Sequence, residues 1–274
     1  MNKGSGKSKR LDRLFTVSDG SLYYLVIPKC GCTYVKNILW HIEKGRPHEN
    51  PKRIHDFDAE FKRASDVVAT DEDVKRSDRA FVVLRNPVDR FLSLYFDKVV
   101  GPGWKQYVPL RRILAEHYGL EVSPQTVFEH RQNCARLVRF LSENLKDGRH
   151  IAREAHWTPQ SDRRNIIEEF NLKVLLTENL TEQMNIMLHG MNPDLVRVTT
   201  EAERYSSGRD RLGRRVLDET TRKEINRLYA SDRQMFKAAR EAWGKLDGSL
   251  KTMKNIPRFS DLTNFGREAD EAQM

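Results

Sequence analysis

Three short runs of apolar residues along the chain are each followed by a stretch with helical spacing. Leu22–Ile27, Ala80–Leu84 and Leu172–Leu176 read as buried strands. After the first, Cys32–Lys44 places Val35, Ile38, Leu39 and Ile42 on one helical face. After the second, Asn86-Pro87 is a helix start, with Asn as cap and Pro at the first helical position. That helix runs through "VDRFLSLYFDKVV" to Gly101-Pro102-Gly103, which stops it. Leu180–Leu188 follows the third strand as a helix. Further helices are predicted over Leu110–Tyr118, Pro124–Leu145 and Leu217–Trp243, and Pro47–Ala69 reads as loop plus short helix. Strands alternating with helices predict an α/β fold with a mainly parallel sheet flanked by helices.

Composition refines the boundaries. The first twenty residues, opening "MNKGSGKSKRLDRLF", are basic and rich in Gly, Ser and Lys, and are expected to be a flexible lead-in. Residues 21–246 form the expected single domain, and 247–274 a polar tail that is peripheral or wrapped over the surface. No stretch approaches the roughly 18 apolar residues of a membrane span, and no secretory signal opens the chain. The three cysteines, Cys30, Cys32 and Cys134, give no disulfide framework and fit a reducing cytoplasm. Cys30-Gly31-Cys32 lacks zinc or redox spacing, so no metal is expected. The net charge of +9 favours an anionic partner without choosing one.

The two loops that follow the first two strands carry the candidate chemistry, since ligands of such sheets collect beyond the carboxyl ends of strands. Pro28–Thr33 joins a strand to a helix N-terminus, where unpaired N–H groups and the helix dipole favour an anion. Gly31 allows close backbone approach, Lys29 supplies charge and Thr33 a hydroxyl. The G-x-x-x-x-G-K-[ST] pattern is absent, and a tight connection with a solvated lysine remains the alternative reading. Arg85 at the second strand end and Ser93, about two helical turns on, suit a second phosphate, although a lone arginine also serves as an ion-pair partner. Asp89 and Arg90 read as helix-surface charges or local ion pairs.

Together "IPKCGCTYVKNIL" and "VLRNPVDRFLSLYF" resemble the 5′-phosphosulfate loop and the 3′-phosphate motif, R-[DN]-P-x-x-R-x-x-S, of sulfotransferases. "EAHWTPQ" followed by "LKVLLTENL" resembles the carbohydrate branch of that family, and the resemblance covers Leu22–Leu188. Asn86 stands where Asp is commoner, and the membrane anchor of Golgi members is missing, which implies a soluble, bacterial-type relative. The resemblance implies a P-loop-like sulfotransferase fold and 3′-phosphoadenosine 5′-phosphosulfate (PAPS) as donor, leaving adenosine 3′,5′-bisphosphate. Lys29, Cys30, Gly31, Cys32 and Thr33 would hold the phosphosulfate, and Lys29 would neutralise charge on the bridging oxygen. Arg85 and Ser93 would bind the 3′-phosphate, with Ser207 and Arg209 as a further nucleotide contact or a solvated basic loop.

The implied reaction is in-line transfer of a sulfuryl group to a carbohydrate hydroxyl on a glycan, polysaccharide or glycolipid, and the basic surface favours an acidic acceptor. Such a hydroxyl benefits from a general base. His55 in "RIHDFDAEF" matches the family position, with His48, His41 and Glu60 as rivals. His156 and Trp157 are expected to position substrate or cofactor, with Trp157 stacking on a sugar or adenine. Glu178 reads as an ion-pair partner or an active-site acid. The competing functions are a nucleic-acid or nucleotide-binding module, for which no helix-turn-helix, aromatic platform or zinc finger speaks, and a P-loop-like kinase, for which the magnesium-ligand motif is lacking.

Overall fold

The computed structural model describes residues 9–68, 70–101, 105–148, 150–191, 212–246 and 252–262. These form two compact units. The first takes in the described residues up to Leu84, those of 160–205 and those from Gln234 on; the second takes in those of 85–159 and 206–233.

The first unit is built on a five-stranded sheet of β1 (Leu14–Thr16), β2 (Tyr23–Leu25), β3 (Lys62–Arg63), β4 (Ala80–Leu84) and β5 (Lys173–Leu176), in the order β3-β1-β2-β4-β5. β2 runs parallel to β4, and β4 to β5, with Leu25 opposite Val82 and Val82 opposite Val174. β1 runs antiparallel to both β2 and β3. The sheet is therefore mixed, which corrects the expectation of a mainly parallel one. The reason lies in the connections. β1 and β2 are joined by a tight turn closed by Gly20 N–H to the Val17 carbonyl, and so short a link permits only antiparallel pairing. β2 reaches β4 through a helix, α1 (Cys32–Lys44), which permits the parallel arrangement.

β4 is buried at every position, as a strand covered on both faces should be. Val35, Ile38 and Leu39 of α1 join the same core. α1 ends at Gly45, whose φ of 68° and N–H to the His41 carbonyl make a left-handed cap.

Two segments differ from the expected lead-in and tail. Leu11, Leu14 and Phe15 are buried in the sheet core, so residues 11–16 belong to the fold and not to a flexible lead-in. Ile256, Phe259 and Leu262 are buried as well, and Val174 N–H donates to the Pro257 carbonyl at 2.8 Å, covering the edge of β5.

The second unit has its own core of Phe91, Leu92, Leu114, Leu137, Phe140 and Trp157. Its helices are α2 (Pro87–Leu94), α3 (Val108–Tyr118), α4 (Val127–Asp147) and, later in the chain, α6 (Glu219–Leu228); α5 (Leu180–Leu188) belongs to the first unit. Asn86 caps α2 by accepting from Val88 N–H at 3.0 Å, with Pro87 at the first helical position. The expected long helix from Leu217 to Trp243 is broken at Tyr229, and α7 (Ala230–Gly244) restarts beyond it. Tyr229 leaves helical geometry (ψ of 40°) while its hydroxyl donates to the Trp157 carbonyl at 2.7 Å.

Candidate active site

The loop between β2 and α1 is strained where it turns. Lys29 has a φ of 68° and Gly31 a φ of 73°. A left-handed lysine costs energy and is retained where the surroundings hold it. The left-handed backbone favours glycine at 31, and a Cβ there would also lie 2.6 Å from Leu180 Cδ2, obliging that side chain to shift. The turn is held by Cys30 N–H to the Ile27 carbonyl at 3.2 Å. The Cys30 thiol is fully buried and donates to Gln160 Oε1 at 3.1 Å, so both its side chain and its backbone N–H anchor the loop. Gly31 has no side chain with which to cap α1, and the dipole of that helix start favours an anion at the loop.

A polar cluster has formed on the first turns of α1. Asn37 Nδ2 donates to the carbonyls of Thr33 (2.8 Å) and Pro51 (3.0 Å), tying the helix to the Pro51–Glu60 segment that folds over it. His55 on that segment lies with Nε2 2.9 Å from Thr33 Oγ1 and 3.7 Å from Cys32 Sγ. Its Nδ1 is 2.8 Å from Nζ of Lys36, which also pairs with Asp58. Burial alone pushes the Cys32 thiol up, but the His55 hydrogen bond and the nearby charges, Lys36 and Lys29 among them, outweigh it and bring its pKa down from 9.0 to about 6.

Of the four rival bases, only His55 meets the loop side chains in this way. His48 accepts from Asn50 N–H at 2.9 Å and packs edge-on to Trp40 and Phe57. His41 lies on the third turn of α1 with Nδ1 buried, and Glu60 pairs with Lys44 at the far end of that helix. Lys36 was not foreseen. The signal was its position one turn beyond Cys32 and Thr33 on the same helix face. Beside this cluster, Trp40, His48 and Phe57 floor a cleft of about 410 Å³ with Arg46 and Arg53 at its rim.

β2 and β4 are parallel neighbours, so they end at the same edge of the sheet, and Arg85 directly follows β4. Ser93 is buried in α2. Asp89 and Arg90 are buried too, which corrects their reading as surface charges. Arg90 donates to the carbonyls of Thr158 (2.8 Å) and Ala155 (3.0 Å), and Asp89 accepts both arms of Arg214. Trp157 is 2% exposed and packs against Phe140, so it serves the core and offers no face for stacking, contrary to expectation. His156 is half-buried, with Nδ1 against the Glu154 carboxylate and 3.0 Å from the Tyr107 hydroxyl. Glu178 is exposed in the turn after β5. Ser207 and Arg209 lie outside the described residues. Among the described residues no group of three or more His, Cys, Asp or Glu is placed to hold a metal ion, and no helix is long and apolar enough to cross a membrane.

The fold and cluster define an α/β protein that carries reactive side chains on the loop leaving a central parallel strand. The sequence model of the sulfotransferase family matches residues 12–237. The chain belongs to that family, whose members move sulfuryl groups. No curated protein matches the sequence, and no solved structure does.

Proposed function

We propose that this protein transfers the sulfuryl group of PAPS to a hydroxyl of a carbohydrate. The observation that carries the reading is the Lys29–Thr33 loop at the end of β2, strained, uncapped and joined to His55, in a chain of the sulfotransferase family. These residues fit a phosphosulfate: a helix N-terminus whose dipole favours an anion, a left-handed glycine at its start, and a lysine beside it. When bound, the nucleotide supplies the sulfuryl group, the acceptor oxygen bonding to sulfur as the sulfur–phosphate oxygen bond breaks and its electron pair leaves with the bisphosphate.

In this reading Lys29 balances charge on the departing oxygen, and the α1 amides with Thr33 hold the sulfuryl oxygens. Arg85, directly after β4, and Ser93 on α2 take the 3′-phosphate, while the Lys29–Thr33 loop is the P-loop-like element, without the P-loop signature. The cleft over Trp40 and Phe57 adjoins the His55 segment, and its aromatic residues, with the ion pairs Arg46–Glu49 and Arg53–Asp56 in the same lining, support a saccharide acceptor.

The test is thermal unfolding with adenosine 3′,5′-bisphosphate, run beside labelled-sulfate transfer from PAPS to a glycan panel. At about a hundred times Kd the bisphosphate should stabilise the protein by about 2.7 kcal/mol. Arg85→Ala should abolish that shift, and ATP should not reproduce it. A wild-type protein whose melting temperature ignores both PAPS and the bisphosphate would end the proposal.

A further inference from the structure

What His55 can do at the loop is decided by its other nitrogen. Lys36 is 1% exposed, its ammonium held by the Asp58 carboxylate and set over the Phe15 ring at 5.1 Å. An ammonium has donors and no acceptor. At 2.8 Å from it, His55 Nδ1 must therefore accept. A neutral imidazole that accepts at Nδ1 carries its hydrogen at Nε2. The other tautomer would set N–H against N–H across that contact, and an imidazolium would add a second cation beside the first.

We propose that Lys36 is a positioning residue that holds His55 as the Nε2–H tautomer, making His55 a hydrogen-bond donor into the loop instead of the proton acceptor expected from its position. Nε2–H then donates to Thr33 Oγ1, 2.9 Å away. Thr33, having accepted, keeps its own O–H to donate to an anion. Lys36, His55 and Thr33 thus form a chain of donors pointing one way, each polarised by the one behind it. Charge that develops on sulfuryl oxygens meets the end of that chain. The proton of the acceptor hydroxyl leaves to bulk water, once bond formation to sulfur has made that oxygen strongly acidic. The chemical meaning rests on the sulfotransferase reading above; the tautomer does not.

The tautomer can be read directly in the full-length protein from ring ¹H–¹⁵N correlations of ¹⁵N-labelled histidine at mildly alkaline pH. The His55 signals are those that vanish in His55→Gln. Wild type should show the Nε2–H pattern alone. Lys36→Met should lose that uniqueness, and Lys36→Arg, which keeps a donor, should retain it. A wild-type Nδ1–H pattern, or one that Lys36→Met leaves unchanged, would overturn the inference.

A kinetic arm needs no change in the buried lysine. The glutamine amide can donate from the place of Nε2–H but cannot act as a base. His55→Gln should keep turnover within about 10-fold of wild type while His55→Ala loses about 100-fold, the scale of one lost donor at a developing oxyanion. Glutamine as inactive as alanine would restore His55 as base and refute the donor role. A wild-type protein that transfers no sulfuryl group counts against the previous section, and the tautomer measurement still decides this one.

Discussion

The two units each hold a histidine with Nδ1 engaged, and the partners have opposite charge. In the first, His55 Nδ1 faces the Lys36 ammonium; in the second, His156 Nδ1 faces the Glu154 carboxylate and the Tyr107 hydroxyl. A cation claims the Nδ1 lone pair and sends the hydrogen to Nε2. A carboxylate claims the hydrogen and leaves the lone pair at Nε2. One ring is thereby prepared to donate from Nε2 and the other to accept there. The same side chain acquires contrary chemistry from a neighbour on the side away from Nε2.

The setting of His156 depends on Arg90, and removing it is the most damaging change we expect. Arg90 is 4% exposed and holds the carbonyls at 155 and 158 on either side of His156 and Trp157. Arg90→Met keeps much of the volume but strips two charged hydrogen bonds, each worth about 1.5–3 kcal/mol, so unfolding stability should fall by about 3 kcal/mol. Urea denaturation measures this. The His156 ring correlations should lose their single-tautomer pattern in the variant while those of His55 stay as in wild type. A stable variant with His156 unchanged would show that Glu154 alone fixes that ring.

Much of this arrangement was legible from residue order, and the exceptions share a cause. α1 and β4 were predicted to their observed ends, because a 3.6-residue apolar stripe and a five-residue apolar run each bury themselves without help from afar. Motif and position singled out the Lys29–Thr33 loop and His55, which the fold brings side by side. Lys36 was missed because a lysine on an amphipathic helix reads as solvated, and its burial comes from the 51–60 segment folding over it. β1 was missed for its three residues within a basic lead-in, where nothing local announces that Leu11, Leu14 and Phe15 reach the core. Trp157 was misread because its cover, Phe140, comes from a helix already passed along the chain. Arg90 was misread because its partners are backbone carbonyls, which no sequence pattern marks.

The thiols of the two units offer a second contrast of intermediate size. Cys32 ionises near about pH 6, whereas burial drives the Cys134 thiol up, with the Asp218 charge adding to it. Thiolate ultraviolet absorbance should therefore rise near pH 6 in wild type and not in Cys32→Ser. Lys36→Met should move the inflection upward, because a cation that favours the thiolate is gone. The linkage has a definite sign. Between about pH 6 and 9.0 the unfolded chain keeps this proton and the folded one does not, so folding stability should increase with pH across that window. Cys32→Ser should flatten the rise; a slope that survives the substitution would assign it to another group.

The smallest effect separates the cation from its ion pair. Asp58 is 44% exposed at its side chain, so its pairing with Lys36 is screened by solvent on one side. Lys36 is itself buried, so more than a surface pair is lost, but in Asp58→Asn the amide oxygen can still accept from the ammonium, and the loss in stability should be about 1–2 kcal/mol. His55 should keep the Nε2–H tautomer, because the donor at Nδ1 is the ammonium and not the carboxylate behind it. Glu154→Gln is the matching change in the other unit, and there the tautomer should become mixed, since the amide can donate as well as accept towards His156 Nδ1. Ring correlations recorded on the two variants give the answer. If Asp58→Asn scrambled His55 as fully as Lys36→Met, the orienting element would be the pair, with the carboxylate needed to aim the ammonium.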